Sequence, residues 1–483
     1  MPRPSPSAVP HLDTTRAMTR TAPPDQIEFP ARLALLVAGA LFIQILDSTI
    51  IAPAAPQMAA DFGVAPVDIN LAITVYVFTV GVLIPISGWL ADRFGPRRVF
   101  CLALAVFTLA SILCALAPHH LALTAARVLQ GAGGAMMVPV GRLAVLRTTG
   151  KTELVRAIAF LTWPALLAPV LAPLLGGALT QYASWRWIFL LNVPLGLTAL
   201  LVAIRLVPDL RPDAVPHLDW RGFASTTVGV AFLLISLEQL GAGGGSSAVV
   251  MLAVAVLALA WAVRHFHRCD QPLLDLRVLR VRTFRLTAAS GSVYRAVIIT
   301  IPFLLPLLFQ VGLGWSPALS GAVVIALFVG NMAIKPVTTP LMRRFGIRTV
   351  LFCSIAVGMG CLGAMACLTA STPIALVLIL LVVSGVARSI GFTAYNSAAF
   401  ADVEPERINH ANTLLSTLQE LGAGLGVAVG ALLVRLGQEL PHVPEGAGPY
   451  RLTFAVFAVV MVLPAVAALR LPRTAGDEVT GRA

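Results

Sequence analysis

Gly88-Trp-Leu-Ala-Asp-Arg-Phe-Gly-Pro-Arg-Arg-Val99 and Thr339-Pro-Leu-Met-Arg-Arg-Phe-Gly-Ile-Arg-Thr-Val350 agree at six of twelve positions, 251 residues apart. Each stretch is a basic, glycine-centred turn between two long apolar runs. Such a repeat reads as two parallel copies of one helical unit. Working outward from both copies, we take runs of about 20 mostly apolar residues as bilayer-spanning helices. They fall at fourteen windows: 33–53, 71–91, 99–117, 121–142, 158–181, 187–205, 222–241, 247–263, 286–311, 318–341, 349–370, 373–397, 411–434 and 451–470. Each copy of the turn then follows the second span of a six-span set. The fold expected is all-α and integral to the membrane: fourteen transmembrane helices, as two pseudo-symmetric six-helix halves plus two inserted helices. The halves are 33–205 and 286–470, with the inserted helices and a basic cytoplasmic linker in 206–285. Residues 1–32, rich in Pro, Thr and Arg with no apolar signal-peptide core, read as a disordered cytoplasmic tail, and 471–483 as a second tail.

Composition agrees. The 483 residues are 58% hydrophobic and 12% charged, with a mean hydropathy of +0.88. Soluble domains are nearer a quarter charged, so an ordinary cytosolic enzyme, a disordered chain and a nucleic-acid-binding domain are excluded. The net charge of +12 is spread through short segments between apolar runs instead of forming one block. With a cytoplasmic N-terminus, 27 of the 34 Lys and Arg fall in alternate, inside segments. That pattern obeys the positive-inside rule and predicts an even number of spans with both termini cytoplasmic. The six cysteines show no CxxC pairing and read as small apolar residues.

Four motifs resemble the major facilitator superfamily, specifically its fourteen-span drug:proton antiporter branch, over essentially the whole chain. Gly88–Val99 is similar to the superfamily's loop after span 2. Leu46-Asp-Ser-Thr-Ile-Ile-Ala-Pro-Ala-Ala-Pro56 resembles the branch's span 1 pattern, with Ala52 where Asn is usual. Arg127-Val-Leu-Gln-Gly-Ala-Gly-Gly-Ala135 resembles the span 4 pattern, and Ser184–Gly196 the start of span 6. The antiporter motif of span 5 departs from its usual form: Ala168-Pro-Val-Leu-Ala-Pro-Leu-Leu-Gly-Gly177 has alanine at two glycine positions. Pro169, Pro173, Gly176 and Gly177 keep the spacing for a bendable, closely packed helix. In the loop, Gly88, Asp92, Arg93, Gly95 and Arg97 are expected to form a gate element: Gly95 permits the turn, and Asp92 places a carboxylate near helix ends. A solvated turn with topology-setting arginines is the simpler alternative.

Ionisable residues inside spans are the best site candidates, because each is costly at the bilayer centre unless paired or hydrated. The acids are Asp47, Glu238 and Glu420, and the bases Arg127, Arg295, Lys335 and Arg388. Glu238 lies near a span end, where a headgroup-level position accounts for it. Asp47 and Glu420 are the proton-coupling candidates; Asp47 lies about 9 Å deep by helical rise, and a buried structural pair is the alternative for both. Arg127, Arg295, Lys335 and Arg388 are the substrate-cavity candidates. Gly150-Lys-Thr152 lacks the glycine a phosphate-binding loop requires five positions earlier.

The resemblance implies a proton-coupled secondary exporter of drugs or small amphipathic compounds in the inner membrane, working by alternating access. Excess in-span base favours an anionic metabolite as the alternative cargo. A membrane receptor or enzyme is disfavoured: no HExxH, nucleophile elbow or metal cluster is legible, and no catalytic residue, metal or cofactor is expected. The partners expected are a small-molecule substrate, protons and the lipid bilayer, without nucleic acid; the sequence leaves open an accessory periplasmic efflux partner.

Overall fold

The computed structural model describes residues 31–148, 154–208, 217–241, 244–404 and 407–472, with all side chains except those of 146–147, 154–166, 238, 241 and 408–409. Both expected tails, Gly150–Thr152 and the Glu238 carboxylate therefore lie outside the described residues, apart from the tails' last and first few positions. The described residues form helices and contain no strand. In chain order these are α1 (Ala31–Ile50), α2 (Ala55–Phe62), α3 (Asn70–Phe94), α4 (Pro96–Ala115), α5 (His120–Arg147), α6 (Leu154–Tyr182), α7 (Trp187–Leu190), α8 (Asn192–Leu206) and α9 (Trp220–Gly241). There follow α10 (Ser246–Arg268), α11 (Arg282–Leu307), α12 (Pro317–Ala333), α13 (Lys335–Phe345), α14 (Ile347–Ala366), α15 (Ile374–Phe400), α16 (Ile408–Glu439), α17 (Gly448–Val460) and α18 (Val462–Leu469). Among the described residues, twelve helices are long and apolar enough to cross a membrane, or thirteen if the bent pair α12–α13 is one span.

Several expected spans are not single rods. The window 318–341 is broken at Ile334, where α12 and α13 meet at 49°. Pro336, in the first turn of α13, has no N–H to continue the ladder of α12. The window 187–205 is divided into α7 and α8, and 451–470 into α17 and α18. After α1 a short 3-10 turn containing Pro53 leads into α2, a helix not expected from the sequence. Gly63 ends α2 in the left-handed conformation at φ 66°.

Packing repeats along the chain. Within residues 31–206, α1 packs on α6 and α5, α3 on α5, and α4 on α5 and α8. Within residues 282–469 the same pairings recur: α11 on α16 and α15, α12 on α15, and α14 on α15 and α17. Two seams join the sets, α3 with α16 and α6 with α12. Helices α9 and α10 pack on each other, and α9 docks on α3 and α16. The repeated turn is conserved in backbone geometry: Gly95 has φ 89° and ψ 138°, Gly346 φ 80° and ψ 149°. A side chain there would be strained, which accounts for glycine in both copies.

The apolar core is distributed unevenly between the two ends of the bundle. At the end carrying Gly95 and Gly346 the clusters of described residues stay within one set, and Met342, Ile347 and Val350 beside Gly346 belong to the second set's part of the third cluster below. One cluster joins Leu33, Val37, Phe100, Leu104 and Val140; the other joins Phe266, Val278, Phe284 and Leu414. A third cluster runs across both sets, combining Ile50, Ile51, Met58 and Trp185 with Leu304, Leu308, Phe309 and Val324. Among the described residues, hydrogen bonds cross between the sets toward that opposite end. Gln310 Nε2 donates to Pro53 O (3.1 Å), the Ala318 amide to Gln181 Oε1 (3.0 Å), and Asn70 Nδ2 to Val427 O (3.0 Å). Arg435 pairs with Asp68 at 2.7 Å.

Candidate functional site

The in-span charges fall into two groups, one in each helical set. In the first, Asp47 on α1 meets Arg127 on α5 at 2.6 Å, and neither side chain has any exposed surface. The carboxylate also accepts from Gln130 Nε2 (2.9 Å) and Asn192 Nδ2 (2.7 Å). Arg127 donates to Gln130 Oε1 (2.7 Å) and to the Ala72 carbonyl (3.4 Å), and its guanidinium lies 4.0 Å from the Tyr76 ring centre. Gln130 donates in turn to Ser111 Oγ at 2.8 Å. Five helices, α1, α3, α4, α5 and α8, thus contribute to one polar network, in which α5 and α8 reach the carboxylate itself. The local folding is simple: Arg127 and Gln130 share a face of α5 at i,i+3, and Asn192 opens α8 where it breaks from α7.

The second group lies on α11, α13, α15 and α16. Arg295 pairs with Glu420 at 3.2 Å, with 20% and 28% of the two side chains exposed. The Arg295 guanidinium lies 4.9 Å from the Phe392 ring centre. Glu420 faces the α3 seam, since a Cβ on Gly81 would sit 3.1 Å from its own. Arg388 lies within electrostatic range of both Arg295 and Lys335, and its guanidinium is 5.7 Å from the Phe328 ring centre. Lys335 stands at the α12–α13 break, where its ammonium donates to Thr393 Oγ1 at 3.4 Å. Arg388 Nη1 and Arg295 Nε are buried and have no hydrogen-bond partner among the described residues. Among the described residues this group holds three cations and one acid, and the acid is paired with Arg295.

Placement of the other candidates is equally specific. Arg127, expected to line a cavity, is buried as the partner of Asp47 in this conformation. Gly176 packs against α1: a Cβ there would sit 2.6 Å from Ile50 O. Gly177 packs against α12 at the same separation from Pro317 O, and Pro173 O occupies the space that a side chain on Gly321 would need. Pro169 lies one helical turn before Pro173 in α6. In the loop, Arg97 donates to the Ile204 carbonyl near the end of α8. Arg93 lies in the last turn of α3, where a cation suits the helix dipole. Asp92 is half-buried in that same turn, and Gly88 has open space around it.

Sequence reasoning missed Gln130, Asn192 and Tyr76, because neutral polar groups are not flagged by the cost of burying charge. Gln130 and Asn192 nevertheless lie inside two of the quoted motifs. The Asp68–Arg435 pair was hidden because both residues sit at span edges, where charge is unremarkable.

Comparisons with known proteins bear directly on these helices. A profile described as "Major Facilitator Superfamily" matches residues 37–268 and 286–482, interrupted only at the linker before α11. The chain belongs to that family. It is 36% identical over 459 residues to a Serratia proteamaculans (strain 568) protein provisionally named multidrug resistance protein MdtD, covering 92% of this chain and 94% of that one. A protein of the same name from Escherichia coli (strain K12 / DH10B) is 35% identical over 443 residues, covering 90% and 94%. Among solved structures, a D-xylose–proton symporter superposes with a TM-score of 0.66 at 14% identity, covering 93% of this chain and 99% of that one. A bacterial homolog of the human lysosomal transporter Spinster, inward-facing and occupied, gives 0.64 at 16% identity, covering 91% and 96%. At such identities these two structures speak for the fold alone. The all-helical transporter fold expected from the repeat is therefore the fold of this family, and the chain is a multi-pass membrane transporter rather than an enzyme.

Proposed function

We propose that this protein is a proton-coupled exporter of drugs or other small amphipathic compounds, working by alternating access between two six-helix halves in the inner membrane. Similarity over nine-tenths of the chain to proteins named for multidrug resistance supports the cargo class. The observation that carries the mechanism is the uneven core. Among the described residues one cluster runs across both sets at one end and none joins them at the Gly95 end, which supports a conformation closed on one side of the membrane. Counting α6, 29 residues long, with the twelve apolar helices and the bent pair gives fourteen spans. The positive-inside pattern supports a cytoplasmic Gly95 end, linker and termini, and on that reading this conformation faces inward.

Within this reading, residues 33–205 and 286–470 are the halves, and α9 with α10 the inserted pair. Glu420 is the proton carrier better placed to meet water, with 28% of its side chain exposed at the α3–α16 seam and a single cationic partner. Asp47, which has no exposed surface, orders the N-terminal half and serves protonation only if α1 moves. Asp92 acts as a cytoplasmic latch at the start of α16, near Asn409 to Asn412, of which the Asn409 side chain lies outside the described residues. The test is accumulation of a chemically diverse labelled panel in everted membrane vesicles, with and without a protonophore. Accumulation that requires the pH gradient is expected. Accumulation unaffected by the protonophore removes proton coupling, and none across the panel removes the cargo class.

A second reading concerns the sign of the cargo. Arg295, Lys335 and Arg388 against Glu420 leave the C-terminal half with excess positive charge, and two guanidinium nitrogens there lack partners among the described residues. This supports organic anions and carboxylate-bearing drugs over permanent cations.

A further inference from the structure

Where the inserted pair meets the linker to α11, three metal-ligand side chains converge. Asp219 immediately precedes α9, His265 lies in the last turn of α10, and Cys269 follows that helix as its C-cap. Their ligand atoms all lie within 4.8 Å of one another. His265 and Cys269 are four residues apart, the spacing that puts two side chains on one helix face. The sequence search for CxxC pairs and HExxH passed over this combination because its third member lies 46 residues upstream.

The site is held from outside. One Asp219 oxygen accepts from the Gly222 amide (2.9 Å) and contacts His265 Nε2 (2.7 Å); the other accepts from the Leu273 amide (3.2 Å). The imidazole is stacked on Trp261, with ring centres 5.2 Å apart and planes inclined by 7°. Ring and carboxylate are thus fixed in place, as supporting contacts fix ligands in metal sites. Burial pushes the Asp219 carboxyl up, but its donors, the Gly222 amide foremost and then His265 and Leu273, outweigh burial and hold it below the usual carboxylate range. The Asp219 and His265 side chains are 4% and 19% exposed, so an ion can enter while most water is excluded. The nearby Arg221, Arg264 and Arg268 are exposed, where solvent and salt screen their charge.

We propose that Asp219, His265 and Cys269 form a Zn2+ site that clamps the base of the inserted helix pair to the linker leading into α11. One carboxylate oxygen, one imidazole nitrogen and one thiolate suit zinc, a borderline ion that takes all three donor types, and water completes the tetrahedron. On binding, the Cys269 thiol releases its proton to solvent, and the imidazole ligates through Nε2 with its proton on Nδ1. The Asp219–His265 contact is the metal-free form of the same junction.

The test uses full-length, tag-free protein in detergent and metal ions alone. Zinc content by mass spectrometry is expected at one ion per chain. Co2+ is expected to give a thiolate-to-metal absorption band that is absent in Cys269→Ser. Zinc affinity, measured by competition with a chromophoric chelator, is expected to fall at least about tenfold in both Cys269→Ser and His265→Ala. Cys269→Ser keeps the Asp219–His265 pair, so its metal-free melting temperature should match the parent while the rise on adding Zn2+ is lost. Absence of the cobalt band in the parent protein, or undiminished zinc affinity in both variants, overturns the proposal. Neither result bears on drug export.

Discussion

Asp47 illustrates what a buried carboxylate requires. With no surface in contact with solvent, it is satisfied by Arg127, Gln130 and Asn192 together, three donors from two helices other than its own. Removing one partner of such a pair leaves the other charge buried and unmatched, at about 3–5 kcal/mol. Asp47→Ala should therefore lower the melting temperature of purified protein sharply, and the double variant Asp47→Asn/Arg127→Gln should recover part of the loss. Equal melting of Asp47→Ala and the parent would mean that the pair contributes nothing. In the C-terminal half, the one hydrogen bond of Lys335 among the described residues is to a hydroxyl at the helix break, and the proposed anion reading has its charge meet cargo. A hydrogen bond to a charged group contributes about 1.5–3 kcal/mol, so Lys335→Gln should weaken competition by organic anions roughly tenfold or more in vesicle assays. Unchanged anion competition would separate Lys335 from cargo binding. Every charged member of both groups was legible in the sequence as an expensive in-span residue. The pairings were not, since Asp47 and Arg127 are 80 residues apart and Arg295 and Glu420 are 125 apart.

Among the elements, α6 shows why glycine persists where alanine replaces it nearby. Ala168 and Ala172 are buried with their methyl groups in place, whereas Gly176 and Gly177 face the Ile50 and Pro317 carbonyls at separations that admit no Cβ. Gly177→Leu should push α6 off α12, at about 1–3 kcal/mol of overpacking. The measurement is proteolytic susceptibility and transport of the purified variant; normal behaviour in both would show that this seam tolerates separation. The spacing of the span 5 motif announced close packing, and the structure adds the partners, α1 for one glycine and α12 for the next. The sequence pattern was less informative about helix breaks. Hydropathy sees a continuous run through 318–341, yet the loss of one amide at Pro336 is enough to bend it.

For the molecule as a whole, the arrangement of contacts makes closure testable. Cysteines in place of Gln181 and Ala318, joined here by a hydrogen bond across the α6–α12 seam, should cross-link on oxidation and stop transport until reduced. Transport through an intact cross-link would mean that this end need not open. Topology has its own test: a single cysteine at Ser371 should label from outside intact cells and one at Thr349 should not, and the reverse pattern would invert the assigned orientation. Helical class, the repeat and the glycine turn were readable from the Gly88–Val99 stretch, its copy at Thr339–Val350 and the apolar windows around them. The conformation was not, because apolar windows locate helices without saying which end of the bundle their cores share. The position of the inserted pair carries one more implication. α9 closes Phe78, Val82, Leu421 and Leu425 away on the α3–α16 side. On the α6–α12 side, Leu167, Leu171 and Leu174 on one helix and Leu319 and Val329 on the other are exposed apolar side chains with no such layer over them among the described residues. A solute dissolved in the acyl chains therefore encounters a transporter with a front and a back: one junction is shuttered by an extra layer of protein, and the other stands directly in the oil.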